Sequence, residues 1–570
     1  MGSMTGRARG RAGGGRPRLC RAAALAAVGA TASLAPAAYA APTTVLSFPS
    51  PDTRTASPHT EISFRGITAE GLRGLVVTAS RSGRHRGALK DHADGHGVSF
   101  VPGRPFRSGE RVRVRVPGGV RVDGGDGRID EFTTARIAGR FATEGPSGAP
   151  RGQGPFAALK SRPDLAPPTV QVLQSRPGRE SGSIFLAPKQ GSGQGGPLIV
   201  DDAGKPIWFL PLGAGIRATD FRVQSYAGRP ALTWWQGAAR GGSGRGEGII
   251  ADSAYRIVKR VRAGNGYAAD LHEFRLTGRG TALVLAYAPV RRDLSAVGGP
   301  RHGVAVDGIA QEVELATGRV RFEWHSLGNV ALTDTDLPRP TSARDPFDYF
   351  HINSFNLDAD GGYVVSGRRV DTVYKLDPAG RIEWRLGGKS GTLARGPGVR
   401  FNLQHDAVPH GYGTYTIFDN SAKGVRKGSR AITVRVDAAQ HTATLVRAIH
   451  HPDWVLAATQ GDLQVLPGGN TLVGWGSQGR ISEFGPAGDL LFDLELPRGY
   501  DTYRAYRFAW DGQPPSRPRA AATASGPSTA VFASWNGSTR TASWTVLAGA
   551  TPGALAPVVS APWTGLETPI

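Results

Sequence analysis

The sequence predicts an all-β protein whose central part is a six-bladed β-propeller, with an N-terminal β-sandwich before it and a small C-terminal β-hairpin region after it. Three observations carry that expectation. From Thr169 onward a strand, a turn centred on Asp or Gly, and a second strand recur six times. Each such hairpin is preceded by another strand pair, which makes four strands per repeat, the arithmetic of a propeller rather than of unrelated hairpins. Ahead of the repeats, short β-type runs alternate with Gly and Pro turns.

Taken in order, residues 1–40 read as a secretory signal: six arginines and no acid, an Ala-rich run from Ala22 to Ala35, then the small-residue site Ala38-Tyr39-Ala40 before Ala41. The apolar run is interrupted by Gly29 and Pro36, too short to span a bilayer, and no later stretch reaches that length. The expectation is a chain exported to the cell surface or medium without a membrane span. Residues 42–140 are expected to form the sandwich, of immunoglobulin-like type, from runs such as Glu61 to Phe64, Leu75 to Thr78, Val98 to Val101 and Arg111 to Val114. Residues 141–168, rich in Gly, Pro and Arg, read as a linker. The propeller is placed at 169–513. Its hairpins are centred on Leu198 to Trp208, Ile249 to Val258, Glu312 to Trp324, Val373 to Trp384, Ile432 to Asp437 and Ile481 to Phe492. Residues 514–570 comprise a Pro/Ala/Ser-rich linker and a β region in which Asn536-Gly537, between Val531 to Trp535 and Arg540 to Val546, is expected to turn a hairpin.

Composition narrows the chemistry. The one cysteine, Cys20, lies in the signal, so the mature chain has no thiol, disulfide or Cys-type zinc site. The formal charge is +22, and +16 once the six signal arginines are removed. Basic residues are scattered singly, with no zinc-finger, helix-turn-helix or RNA-recognition pattern among them. A basic surface can meet nucleic acid, anionic polymers or anionic small substrates; here the charge is read as a bias towards Arg over Lys spread across a solvated surface, and no nucleic-acid partner is expected.

Aligning the first strand of each repeat places His272, His351 and His405 at comparable positions of three consecutive blades, with Asp220 and Gly461 at the corresponding places of two others. Innermost propeller strands line the axis, so the three histidines are expected to meet in one channel. Packing does not ask for imidazole there, whereas proton or group transfer and metal binding do.

Asp348 to Ser354, Ser366-Gly367-Arg368, and Lys375 through Gly388 resemble the signature of the arylsulfotransferase family. Leu271-His272-Glu273-Phe274, Gln404-His405-Asp406, Phe418-Asp419-Asn420 and Asn470 to Gly476 resemble it as well, in the family's order and spacing. The wording is closer to the branch common among high-GC Gram-positive bacteria and fungi. The resemblance implies a six-bladed propeller enzyme that moves a sulfuryl group from a phenolic sulfate ester to a phenol, with neither a nucleotide sulfate donor nor a cofactor. It implies further that His405 is transiently sulfated, that His351, Asn353 and Arg368 hold sulfate oxygens, and that His272 is a further active-site histidine. Arg368 is preferred to Arg369 because neighbouring strand residues face opposite ways.

Two other readings stand beside this one. A metal-dependent propeller hydrolase would use the same histidines, but Glu273 and Asp406 directly follow theirs and on a regular strand point away, so no metal site is expected. A non-enzymatic cell-surface binding propeller leaves the histidines without a role.

Overall fold

The computed structural model describes residues 41–139, 155–189, 193–424 and 427–570. The expected signal, residues 1–40, and residues 141–154 of the expected linker lie outside the described residues. The all-β class is found: forty strands and five three-residue 3-10 helices make up the regular structure of the described residues. None of their helices is long and apolar enough to cross a membrane.

The first nine strands form two sheets, one of five strands and one of four. One apolar cluster joins them. Val45, Phe64 and Phe100 come from the five-stranded sheet, and Val77, Val112 and Phe132 from the four-stranded one. The run Arg111–Arg115 shows the cause: its valines are buried and its arginines exposed, the period-two alternation of a strand with one wet face.

Six sheets of four or five strands follow in chain order, and they are numbered first to sixth here. The second to sixth begin with the strands Arg217–Tyr226, Phe274–Leu276, Ile352–Leu357, His405–Pro409 and Asp462–Val465. The first and sixth are completed from distant sequence. Tyr506–Phe508 pairs with Ser183–Leu186 in the first, and Gln171–Ser175 pairs with Leu490–Glu495 in the sixth. The repeated Asp turn has a physical reason. Asp201 Oδ1 accepts from the amides of Ala203 and Lys205, Asp252 from Ala254 and Arg256, and Asp377 from Ala379 and Arg381, at 2.8–2.9 Å. Each side chain thus closes the turn that the left-handed Gly204, Tyr255 or Gly380 completes.

The C-terminal region departs from expectation. The segment read as a linker contains the strand Arg519–Ser525, paired with Ser528–Ser534, and the second hairpin joins Ser543–Ala548 to Ala556–Pro562. Asn536-Gly537 turns neither. The Asn536 amide instead accepts from the backbone N–H of Phe209 and donates to its carbonyl, each at 2.9 Å, and Gly537 N–H donates to Ile207. Docking on the first sheet outcompetes a local hairpin.

Candidate active site

Side chains at the start of successive sheets form a hydrogen-bonded belt. Asp220 accepts from the N–H of Phe274 (3.0 Å), Glu273 from Phe355 (3.5 Å), Ser354 from Ala407 (3.1 Å), Asp406 from Leu463 (3.4 Å) and Asp462 from Ala505 (3.1 Å). Each acceptor reaches the amide one residue past its counterpart in the next sheet, so Asp220, Glu273, Ser354, Asp406, Asp462 and Arg504 are equivalent positions. This register revises the sequence alignment. The counterparts of His272 and His405 are Thr219, Asn353, Gly461 and Tyr503, whereas His351 sits two residues earlier and Asp220 one residue later. Backbone bulges are the reason. Asp220, His351, Asp406 and Gln460 all have φ between +51° and +67°, and pairing slips beside three of them. A bulge re-aims the side chain that alternation would have sent elsewhere.

The structure nevertheless gathers the three histidines. The rings of His272 and His351 cross at right angles with centroids 5.1 Å apart. Tyr503 lies 5.5 Å from His272 and 6.3 Å from His405, and Tyr287 lies 5.8 Å from both His272 and His351. All three histidines are buried. Each Nδ1 is tied to a partner that the sequence reading did not assign a role. His272 meets Asp270, His351 meets Asp348 at 2.5 Å, and His405 meets the Asn420 side-chain oxygen at 2.7 Å. Asp270 lies two residues and Asp348 three residues before its histidine, a carboxylate–imidazole spacing that sequence alone could have flagged.

The bonds around His405 determine its tautomer. The Asn420 amide nitrogen donates to the carbonyls of Ala457 and Gln460 at 2.8 and 2.9 Å, which turns its oxygen toward His405. Nδ1 must then carry the proton and Nε2 the lone pair, and Nε2 accepts the N–H of Gln460 at 3.2 Å. Burial, together with the nearby Arg368 charge, holds the His405 imidazole well below the usual histidine range; the Asn420 bond opposes this only in part. Burial also lowers His351, against the pull of Asp348. For Asp348, burial alone would raise the pKa, but the charge and hydrogen bond of His351 and the charge of Arg369 keep the carboxyl low.

Arg368 and Arg369 occupy a 3-10 turn, Arg368–Val370, so strand alternation does not separate them. Arg368 donates to the Ala458 carbonyl at 3.1 Å, and Arg369 Nε lies 3.6 Å from Asp348. Asn353 is fully buried, and its amide nitrogen donates to the carbonyl of Gln404, the residue before His405, at 2.7 Å. Thr219 makes the same bond to Leu271, the residue before His272, at 2.6 Å.

A separate trio, His92, Asp94 and Glu314, brings metal-ligating atoms together, but Arg65 and Arg321 occupy it. Arg65 bonds His92 at 2.8 Å and Asp94 at 2.6 Å, and Arg321 bonds Glu314 at 2.7 Å. Two guanidinium groups supply the positive charge that an ion would.

Residues 222–496 match the family model described as Arylsulfotransferase (ASST). No curated protein matches the chain. Among solved structures it is similar to a protein of unknown function from Bacteroides caccae, at 12% identity over 57% of this chain and 100% of that one, with a TM-score of 0.34. A protein from Lactobacillus plantarum shares 12% identity over 68% and 98% of the two chains, TM-score 0.30. Virginiamycin B lyase from Staphylococcus aureus shares 9% over 57% and 87%, TM-score 0.29.

Proposed function

Residues 222–496 belong to the arylsulfotransferase family, and from that premise we propose that this protein moves a sulfuryl group from an aryl sulfate to a phenol through an N-sulfohistidine at His405. The six sheets are read as the six blades of a propeller whose first strands surround the site, and the two N-terminal sheets as a sandwich domain. The observation that carries the reading is the bonding of His405, a buried imidazole whose proton is pinned on Nδ1 and whose Nε2 keeps the lone pair, which at rest accepts the Gln460 N–H that an incoming sulfur must displace. In the first half-reaction Nε2 attacks sulfur, the S–O bond to the aryl group breaks and phenolate leaves. In the second, a phenol loses its proton, its oxygen attacks the same sulfur, and the N–S bond breaks. Arg368 neutralises charge on the three sulfuryl oxygens, and His351, held by Asp348 through Nδ1, is assigned a place beside them. His272, whose Nδ1 faces Asp270, keeps Nε2 free to exchange the phenolic proton. Asn353 is assigned a positioning role, because its amide nitrogen is committed to the backbone that carries His405. A covalent stop needs only one aryl group in the pocket at a time, which gives double-displacement kinetics.

The pH dependence tests the protonation state directly. Protonation removes the attacking lone pair, and the His405 pKa is depressed, so the histidine stays neutral through the range where an ordinary one titrates. The single-turnover burst of phenol from donor alone is expected to be flat from about pH 8 through 6.5 and to fall only well below that. A half-loss centred on the ordinary histidine value would mean that the nucleophile is elsewhere. Export is part of the same proposal. Secreted material should begin at Ala41 on N-terminal sequencing, and an intact Met1 outside the cell would overturn it.

A further inference from the structure

The belt carboxylates Asp220, Glu273 and Asp406 pair with Arg504, Asp462 lies within reach of its charge, and beside them lies a cavity of about 920 Å³. Arg222, Asp406 and Tyr506 form part of its wall, and none of the three histidines does. Chain order shows the separation. Leading into the third sheet's first strand His272 comes first, then Glu273 in the belt, then Arg275, on the strand itself, in the cavity wall. In the fifth sheet the order is His405, Asp406, Val408 and His410. The volume is that of a site for a small organic molecule.

The wall combines apolar and charged side chains. Val408, Leu463, Val465 and Phe508 supply the apolar part. Arg222, Arg275 and Lys259 are the cations of the wall and Asp406 its carboxyl, and of these cations Arg222 is already paired with Asp220 and Glu273. Among the described residues the Arg275 guanidinium makes no hydrogen bond, and its buried Nε has only a long ion pair. The nearest carboxylate, Glu273, lies 3.6 Å away and already accepts from Arg222 at 2.8 Å and from Arg504 at 3.0 and 3.1 Å. A guanidinium with unused donors beside an apolar wall is complementary to an anionic head on an apolar body.

We propose that this cavity is a second small-molecule site, distinct from the histidine site, that binds an organic anion of single charge with an aromatic body, its anionic group on Arg275. The proposal does not depend on the sulfuryl-transfer reading, because it concerns binding at residues that reading does not use.

Naphthalene-2-sulfonate is a suitable probe, since its carbon–sulfur bond offers no sulfuryl group to transfer. Titration calorimetry with the full chain is expected to show, apart from any binding among the histidines that Arg368→Gln removes, a component that Arg275→Gln weakens at least tenfold and that Arg368→Gln leaves unchanged. Val465→Trp, a substitution at the exposed cavity wall, should weaken it similarly by filling the space, and the neutral naphthalene-2-sulfonamide should bind far more weakly. Near-ultraviolet circular dichroism checks that each variant is folded; should Arg275→Gln fail that check, Val465→Trp decides. Absence of binding, unchanged affinity in the cavity variants, or loss of binding in Arg368→Gln alone would overturn the proposal, the last by placing the anion among the histidines.

Discussion

His405→Ala is expected to lose aryl sulfate turnover by a factor on the order of 10⁴ or more, the scale seen when a covalent nucleophile is removed. Both half-reactions pass through the same nitrogen, so neither the burst of phenol from donor nor transfer to acceptor should survive. Intact-protein mass spectrometry at neutral pH, after mixing with donor alone, should show one added sulfuryl group on the native chain and none on the variant. Peptide mapping should place the group on His405. Asn353→Ala provides the contrast. It removes a bond to the Gln404 carbonyl, not a reacting atom, so it should slow turnover while the adduct still forms. Normal turnover by His405→Ala, or an adduct on another residue, would refute the covalent mechanism. An adduct that forms but never passes to any phenol would leave the nucleophile in place and limit the protein to hydrolysis.

The elements were legible where one periodicity governed them. The hairpins at Leu198, Ile249, Glu312, Val373, Ile432 and Ile481 lie on observed strands because each combines an apolar run with an Asp or Gly turn whose hydrogen bonds are local. The site was legible in its residue types but not in its register. The left-handed residues at His351 and Asp406 shift alternation by one, and a bulge leaves no mark in composition. The histidines therefore meet as expected, although His351 is not the counterpart of His272. Asn536-Gly537 failed for a different reason: its preference for a turn is local, and the edge of the first sheet offered its amide two backbone partners. Arg504 was invisible to the sequence reading. A lone arginine in Tyr503-Arg504-Ala505-Tyr506 has no motif, and only the closure of the belt gives it four acidic neighbours.

Arg504→Met is expected to be the most destabilising single change at the site. Arg504 is 1% exposed and reaches Asp220 at 3.1 Å, Glu273 at 3.0 Å and Asp406 at 3.3 Å, with its guanidinium 5.3 Å from the Tyr503 ring. Burial pushes the carboxyl groups of Asp406 and Asp462 upward, and the charges of Arg504, Arg275 and Arg222 hold Glu273 below the ordinary range against the same burial. Methionine fills much of the volume but leaves carboxylates buried without their common partner, a loss of about 3–5 kcal/mol at neutral pH. The sign of the pH dependence follows. In the native chain the depressed Glu273 contributes stability that is present above its unfolded pKa and lost as pH falls through the folded value. In the variant the unpartnered carboxyls titrate above their unfolded values, so the folded state takes up protons first and gains stability relative to the unfolded chain as pH falls. The difference between the two proteins should therefore narrow between about pH 7 and pH 5. Guanidinium chloride unfolding at both pH values measures it. Arg504→Lys keeps the charge without the planar fork and should fall between them. A variant as stable as the native chain at pH 7, or a gap that widens on acidification, would show that the belt does not depend on Arg504.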